Sequence, residues 1–304
     1  MTVSVIIPTY NRADYVGKAI QSALDQQPAP EVIVVDDEST DNTEEVVRRF
    51  DNVTYIRQEN RREGAARNSG AARASGTYLA FLDSDDFWLP GKLAADSARF
   101  EQPDHPALVY SRALNVNERD AVIGARTLPS PEGDVFWALA REAFLPMSSV
   151  AVRADAFRDV GGFVEDRQLS GTADWELWLR LTARWPVGFV DQTRTCIRVH
   201  SGSMLGHPEY MEPAMLAGVR HALADPVVAQ RTRGREAFVR ASMYVTLALH
   251  AYRHRRRTRS ARWLARALAA WPAEALDPRF LGAVVRAAVG PTVIGSLKRR
   301  SAAA

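Results

Sequence analysis

The sequence predicts an α/β protein: a doubly wound, mostly parallel sheet with a helical appendage at its C-terminal end. Three observations carry this reading. Four apolar runs alternate with helix-sized segments over the first 82 residues, carboxylates stand directly behind two of those runs, and beyond Pro213 the chain turns Ala- and Arg-rich with no good strand run before Pro291 to Ile294.

Val3 to Ile7, Val32 to Val35 and Tyr78 to Leu82 are continuous and rich in β-branched or aromatic residues, as strands buried on both faces require. Val53 to Ile56 is a weaker fourth. Asp14 to Leu24, Asp41 to Phe50 and Gly64 to Ser75 fit helices between them, giving β-α-β-α-β-α-β. From Ala107 to His200 the pattern is mixed, with strands expected at Ala107 to Tyr110, Ser148 to Val152, Gly188 to Val190 and Cys196 to Val199, and helices at Val135 to Phe144 and Asp174 to Arg184. This stretch reads as the second half of the same domain. Residues 1–213 are therefore expected to form one domain and residues 214–304 a basic helical region.

A chain of 304 residues, 46% hydrophobic and 25% charged, can bury a substantial core and is neither disordered nor fibrous. Its one cysteine, Cys196, forms no intramolecular disulfide, which fits a reducing cytoplasm. The N-terminal residues lack a basic n-region, so neither a signal nor a transit peptide is expected. The longest stretch free of Asp, Glu, Lys and Arg, Ala241 to Tyr252, has 12 residues. A membrane-spanning helix needs about 20, so none is expected.

The net charge of +3 hides an asymmetry: residues 1–213 hold 22 Lys and Arg against 32 Asp and Glu, residues 214–304 hold 17 against 4. An acidic front suits carboxylates gathered around a cation; a basic tail suits a polyanionic neighbour such as anionic lipid or nucleic acid.

Ligands of doubly wound sheets sit beyond the carboxyl ends of the strands. Asp83-Ser84-Asp85-Asp86 follows the Tyr78 run, and three carboxylates in four residues repel one another unless a cation intervenes. Oxygen ligands suit Mg²⁺ or Mn²⁺, which take one or two carboxylates and complete their shell with phosphate oxygens and water. The alternative is a solvated turn whose Asp86 caps the next helix. Asp36 and Asp37 end the Val32 run, where a carboxylate can accept the imide N–H of a uracil or thymine ring, while Ser39, Thr40 and Asp41 suit a helix cap. Between Glu63 and Gly76 small residues dominate, as a helix packed closely on a sheet demands, and Arg67 and Asn68 are its polar members. Arg67 suits a phosphate or a motif carboxylate. Trp175, Trp178, Leu179 and Thr182 form one helical face and read as core. Asp174, in the first turn, is the better candidate to face a cleft than Glu176. His200 follows a short strand and by spacing alone reads as structural, with no zinc partner. P-loop, dinucleotide-binding and nucleophile-elbow signatures are absent from the sequence.

Six pieces in this order, Val3 to Arg12, Val34 to Asp41, Gly64 to Gly70, Leu82 to Asp86, Ala173 to Arg180 and Arg198 to Ser203, resemble glycosyltransferase family 2, the inverting enzymes of GT-A fold. The resemblance spans about two thirds of the chain. It implies a nucleotide-binding half and an acceptor half. Pro8, Thr9, Tyr10 and Asn11 would line the nucleotide pocket, Asp37 would contact the base, with Asp36 beside it, and Arg67 would lie near the nucleotide. Asp83 and Ser84 would hold the ribose side of the donor. Asp85, the second carboxylate of the D-x-D, would bind the Mg²⁺ or Mn²⁺ that bridges the diphosphate, with His200 close by. Asp174 matches the catalytic base; Ala173 stands where the family often has Glu, which leaves Glu176 as the fallback.

The expected partners are a nucleoside-diphosphate sugar, a UDP-sugar by preference, and a glycan or lipid-linked acceptor. Arg255, Arg256, Arg257, Arg259, Arg262 and Arg266, with Trp263, Leu264, Ala267, Leu268 and Trp271, form a basic amphipathic helix. It suits either an anionic membrane surface or packing on the catalytic domain, and no nucleic-acid motif accompanies it. Two other classes compete: a phosphatase with an Asp nucleophile, for which Phe87 and Trp88 are the wrong neighbours, and a non-catalytic sugar-nucleotide or glycan-binding module.

Overall fold

The computed structural model describes residues 2–126, 130–200 and 208–289. Its first half runs β1 (Val3–Thr9), α1 (Ala13–Leu24), β2 (Glu31–Asp36), α2 (Thr43–Val47), β3 (Val53–Arg57), α3 (Arg62–Arg73) and β4 (Tyr78–Phe81). The second runs β5 (Phe87–Trp88), α4 (Lys92–Phe100), β6 (Leu108–Val116), β7 (Val122–Ala125), α5 (Phe136–Arg141), β8 (Val150–Arg153), α6 (Ala154–Asp159), α7 (Ala173–Thr182) and β9 (Val187–Arg198). Helices α8 (Pro208–Ala224), α9 (Pro226–Thr232), α10 (Glu236–Arg253), α11 (Arg257–Ala270) and α12 (Pro278–Val289) follow.

One sheet holds the strands in the order β3-β2-β1-β4-β8-β6-β9-β5, with β7 on β6. The first four pair in parallel. β8 is antiparallel to both β4 and β6, β6 and β9 run parallel, and β5 returns antiparallel on β9. The expected parallel half and mixed half are both present. β1, β2 and β4 are buried almost throughout, consistent with their unbroken apolar runs.

Gly188 to Val190 and Cys196 to Val199, expected as two strands, belong to the single strand β9, which absorbs the polar residues Asp191 to Arg194 through register shifts against Ser111 and Arg112. The second helix is shorter than expected at both ends: Asp41 and Asn42 precede it as capping loop, and it stops at Val47 and not at Phe50. Pro213 lies inside α8. The Pro291 to Ile294 run and Ser201 to Ser203 of the last motif lie outside the described residues.

The helical region shares one core with the sheet: Trp175 and Trp178 of α7, Met211 of α8, Val239 and Leu247 of α10, Trp263 and Leu264 of α11 and Phe280 of α12 belong to a single buried cluster that also contains Phe81 and Leu108. Trp263 stacks on Tyr244 with ring centroids 5.3 Å apart. Of the two readings of the basic amphipathic helix, packing accounts for its Trp263, Leu264 and Ala267 face, worth about 1.5–3 kcal/mol for each large side chain. Among the described residues, no helix is long and apolar enough to cross a membrane.

Candidate active site

Strand order reverses at β1, so a crevice opens where β1 and β4 diverge, beside the carboxyl end of β2. Three loops from these strands are tied together by short polar residues. After β1, the Asn11 N–H donates to Ser39 Oγ (2.9 Å), and Asn11 Oδ1 accepts from the Thr40 N–H (2.8 Å). Asn11 takes a φ of 50°, a left-handed conformation that Asn tolerates better than most residues. Asp41 serves two helices at once, accepting from the Thr43 N–H (3.0 Å) and the Ala13 N–H (3.2 Å). Burial works against its charge, but these donors outweigh it and hold the carboxyl below its usual range.

Pro8 is the penultimate residue of β1, opposite Val35. Thr9 is buried and its hydroxyl has no partner among the described residues, while Tyr10 is 47% exposed. A buried unpartnered hydroxyl beside an exposed ring is a fitting lining for a polar, planar ligand.

Asp36 and Asp37 divide their work. Asp36 is wholly buried and accepts from the Ser39 N–H (2.7 Å) and the Tyr55 hydroxyl (2.7 Å), so it staples β2 to β3. Asp37 accepts from Gln58 Nε2 (2.8 Å) and from the N–H groups of Arg61 (2.9 Å) and Arg62 (2.8 Å) at the head of α3. Three acceptor positions are thus occupied, leaving about one for a ligand.

α3 fulfils the expectation of close packing: a Cβ on Gly70 would stand 2.6 Å from Ile6 Cγ2, and Ala65 and Ala66 are buried. That proximity brings Arg67, itself buried, to Asp83 at 2.6 Å. Burial opposes the guanidinium's charge, but Asp83, Glu63 and Asp174 overcompensate and raise its pKa. One turn earlier, Glu63 accepts from the Gly171 N–H (2.6 Å) and the Ser170 hydroxyl (3.0 Å). Gly171 has a φ of 83°, suited to a residue without Cβ, and leads directly into α7.

In the acidic motif, Asp83 is about one-third exposed at its side chain, Ser84 is buried, and Asp85 points Oδ2 at His200 Nε2, 2.9 Å away. Arg12 Nε stands 3.7 Å from the same oxygen. Asp86 does not cap a helix; it is buried, accepts from the Ser148 hydroxyl (2.5 Å) and the Arg198 N–H (2.8 Å), and is followed by β5. Burial pushes the Asp86 carboxyl well up, and Asp85 and Asp83 add to it. Asp83 is raised by burial and by Asp85 against the opposing pull of Arg67.

Asp174 stands in the first turn of α7 and accepts from the Trp175 N–H (2.7 Å). Burial pushes its carboxyl up to about 6; the Trp175 N–H and Arg67 pull down, and Asp83 and Glu63 push up. Glu176 is elsewhere: fully buried, it forms a two-pronged pair with Arg180 (2.7 and 2.7 Å), whose Nη2 also donates to Gly162 O (2.8 Å) and whose Nη1 donates to Val160 O (2.5 Å). The fallback carboxylate is spent on structure. Trp175, Trp178, Leu179 and Thr182 are buried together as core.

Two residues that the sequence did not single out hold the site. Ser148 donates to Asp86 while accepting from the Asp83 N–H (3.1 Å). Arg198, 5% exposed, donates to Asp85 O (2.8 Å) and Asn117 O (3.0 Å), pairs with Asp120 (2.6 Å) and packs over Tyr15. A lone serine carries no sequence signal, whereas Arg198 opens the last of the six motif pieces.

Among the described residues, no cluster of three or more His, Cys, Asp or Glu is gathered for a metal ion. The donor set nonetheless fits Mg²⁺ or Mn²⁺ in the substrate-assisted manner: Asp85 and His200 converge, and Asp83, two residues away, is about one-third exposed at its side chain.

Comparison with known proteins identifies the family and the fold. The sequence model described as "Glycosyl transferase family 2" matches residues 4–158. An Escherichia coli relative named UDP-Glc:alpha-D-GlcNAc-diphosphoundecaprenol beta-1,3-glucosyltransferase WfaP is 30% identical over 210 residues, 66% of this chain and 79% of that protein. Of the first curated relatives it matches, the chain spans 33–42% of their length. Two solved structures share the fold. Staphylococcus aureus TarS 1-349 in complex with UDP-GlcNAc has a TM-score of 0.60 at 18% identity, covering 86% of this chain and 89% of that one. The mannosyltransferase PcManGT from Pyrobaculum calidifontis, with GDP-Man and Mn²⁺, has a TM-score of 0.62 at 19% identity, covering 94% and 87%. Both carry the GT-A architecture.

Proposed function

The chain belongs to glycosyltransferase family 2, and on that footing we propose that it is a metal-dependent, inverting hexosyltransferase. It moves a sugar from a nucleoside-diphosphate sugar, a UDP-sugar by preference, to a hydroxyl of a glycan or lipid-linked acceptor in polysaccharide or cell-envelope assembly. We place the reaction in the cytoplasm, at the inner face of the membrane when the acceptor is lipid-linked. UDP-sugars in the names of two similar proteins, and an undecaprenol-linked acceptor in one, support these choices.

The observation that carries the reading is Asp174: a carboxyl raised to about 6 at the head of α7, within electrostatic reach of Arg67 and Asp83. A base of that pKa is ionised at neutral pH yet retains more proton affinity than an ordinary aspartate. It accepts the acceptor hydroxyl's proton on one face of the sugar while the nucleoside diphosphate leaves from the other, and in-line displacement inverts the anomeric centre. Thr9, Tyr10, Asn11 and Asp37 hold the nucleoside, Asp83 and Ser84 the ribose side, and Arg67 keeps Asp83 in place. Asp85 and His200 would hold Mg²⁺ or Mn²⁺, which when bound offsets the charge of the departing diphosphate.

The test is thermal stabilisation by UDP, dTDP, GDP and CDP with Mg²⁺, Mn²⁺ or chelator, followed by transfer assays with the donor so identified. A ligand at 100 times its dissociation constant adds about 2.7 kcal/mol, an easily read shift. Stabilisation without turnover on any acceptor would favour a non-catalytic binding module. Wild-type turnover by Asp174→Asn would remove that residue from the chemistry.

A further inference from the structure

We propose that the C-terminal helices carry a composite docking surface for an anionic lipid bilayer: an arginine groove on α11 for phosphate headgroups, and beside it an apolar side of α12 that enters the acyl boundary. The surface is not the one the sequence pointed to. Trp263, Leu264 and Ala267, the amphipathic face of α11, are buried against the rest of the protein and are not available to a membrane.

What remains outside is the flank beside that face, where Arg266 packs over the Trp263 ring. A groove of about 930 Å³ is lined by Arg255, Arg256, Arg257, Arg259, Arg262 and Arg266. The single carboxylate on it, Glu212, is already engaged, by Arg259 (2.7 Å) and by the Trp263 indole N–H (3.3 Å). Arg255, Arg256, Arg262 and Arg266 have no carboxylate partner among the described residues. Like charges held together without counterions repel, and a polyanionic surface removes that cost.

α12 adds the second half. Phe280 and Ala283 face the core, yet Leu281, Val284 and Val285, at one-, three- and four-residue steps, are 51%, 39% and 56% exposed. Leu276, just before the helix, is 83% exposed. A helix apolar on its outer as well as its inner side is out of place in water. Its C-terminal end meets the arginine groove, where Arg257 Nε donates to Ala287 O (3.0 Å). Cationic and apolar surfaces that meet in this way match an in-plane membrane contact, in which guanidinium groups bind headgroups and branched aliphatic side chains enter below them. Nucleic acid matches less well, because the groove's Trp263 is buried and offers no stacking face, and an apolar ridge has no use there.

The proposal stands apart from the donor-site reading, and its test does not involve turnover. The full chain is sedimented with vesicles of phosphatidylcholine alone and of phosphatidylcholine mixed with phosphatidylglycerol, at low and high salt. Binding is expected only to the mixed vesicles and weaker in high salt. The triple variant Arg255→Glu, Arg262→Glu, Arg266→Glu should lose about tenfold or more in partitioning. The double variant Leu281→Asp, Val285→Asp should lose binding at either salt, with nucleotide-induced thermal shifts unchanged in both. Circular dichroism, and a milder Arg→Gln triple variant, separate lost docking from lost folding. Wild-type protein that stays in solution with both vesicles, or variants that partition like wild type, would overturn it. So would a duplex oligonucleotide that displaces the protein from vesicles, or a dimer abolished by the α12 variant, which would assign the surface to nucleic acid or to a second copy.

Discussion

Around the carboxyl ends of β1, β2 and β4, Asp36, Asp37, Asp83, Asp85 and Asp86 each have a donor or cation close at hand, whereas the groove at the start of α11 gathers six arginines around one carboxylate, Glu212, which pairs with Arg259. The front of the chain is acidic and its end is basic, but sign is the lesser difference. In the sheet, each charge is held by backbone N–H groups, side-chain donors or a neighbouring cation, so its position is fixed, and burial raises the carboxyls of Asp83 and Asp86. On and just before α11 the charges are carried on long, exposed side chains. The first arrangement suits chemistry, which needs one group in one place; the second suits adhesion to a surface with many equivalent anions.

Substitutions test that distinction, beginning with the largest effect. Asp174→Asn should lower the transfer rate by about 10²–10⁴-fold while nucleotide-induced thermal shifts persist. Because the wild-type carboxyl is raised, to about 6, the rate should climb with pH through that value and level off above it. The same shift costs stability. Folding disfavours the ionised form, so wild type loses up to about 3 kcal/mol as pH rises from below 4 to above 6, and the Asn variant should melt higher at neutral pH but not in acid.

Glu176→Ala is the contrasting case. It leaves buried Arg180 unpaired and should cost about 3–5 kcal/mol of stability, read by denaturant titration, with turnover of the folded fraction retained. If turnover fell with Glu176 and not with Asp174, the assignment of base and strut would be reversed. Asp86→Ala should cost about 1–3 kcal/mol by stranding the Arg198 N–H and the Ser148 hydroxyl, and Asp86→Asn less, since burial already disfavours that carboxylate. At the small end, Arg262→Gln should move stability by about 0.5 kcal/mol or less, as expected of an exposed side chain.

Much of the front half was legible in the sequence because its signals are local. An apolar run followed at once by Asp announces both a strand and the end of it, as at β2 and β4, and these and β1, whose run stops at Pro8, were placed within two residues. Arg67 could be singled out because it is a long polar side chain flanked by residues too small to do anything but pack. What escaped depends on contacts distant in sequence. Ser148 matters only because it meets Asp83 and Asp86, more than sixty positions away, and nothing in its neighbours hints at this. β5 is two residues long and exists only by pairing with Cys196 and Thr195 of β9. The sequence left α11 with two possible occupants for its apolar face, and only the packing against Tyr244 decided between them. Asp36 and Asp37 looked equivalent, and their division of labour follows from which neighbour each meets: Tyr55 on β3, or the head of α3.

Helix α3 grips both sides of the crevice, Gly171 ahead of the base through Glu63 and Asp83 through Arg67, and the two grips lie one turn apart on a single rigid rod. The span between proton acceptor and donor-sugar site is therefore set by a count of residues, like the jaws of a calliper. One residue inserted between Glu63 and Arg67 would swing one jaw by about 100° and leave the other in place. Length changes in this chain can be absorbed in exposed surface loops such as 101–105, but libraries that vary length, or recombination points placed within residues 63–67, should yield folded proteins that bind their nucleotide and have lost their measure.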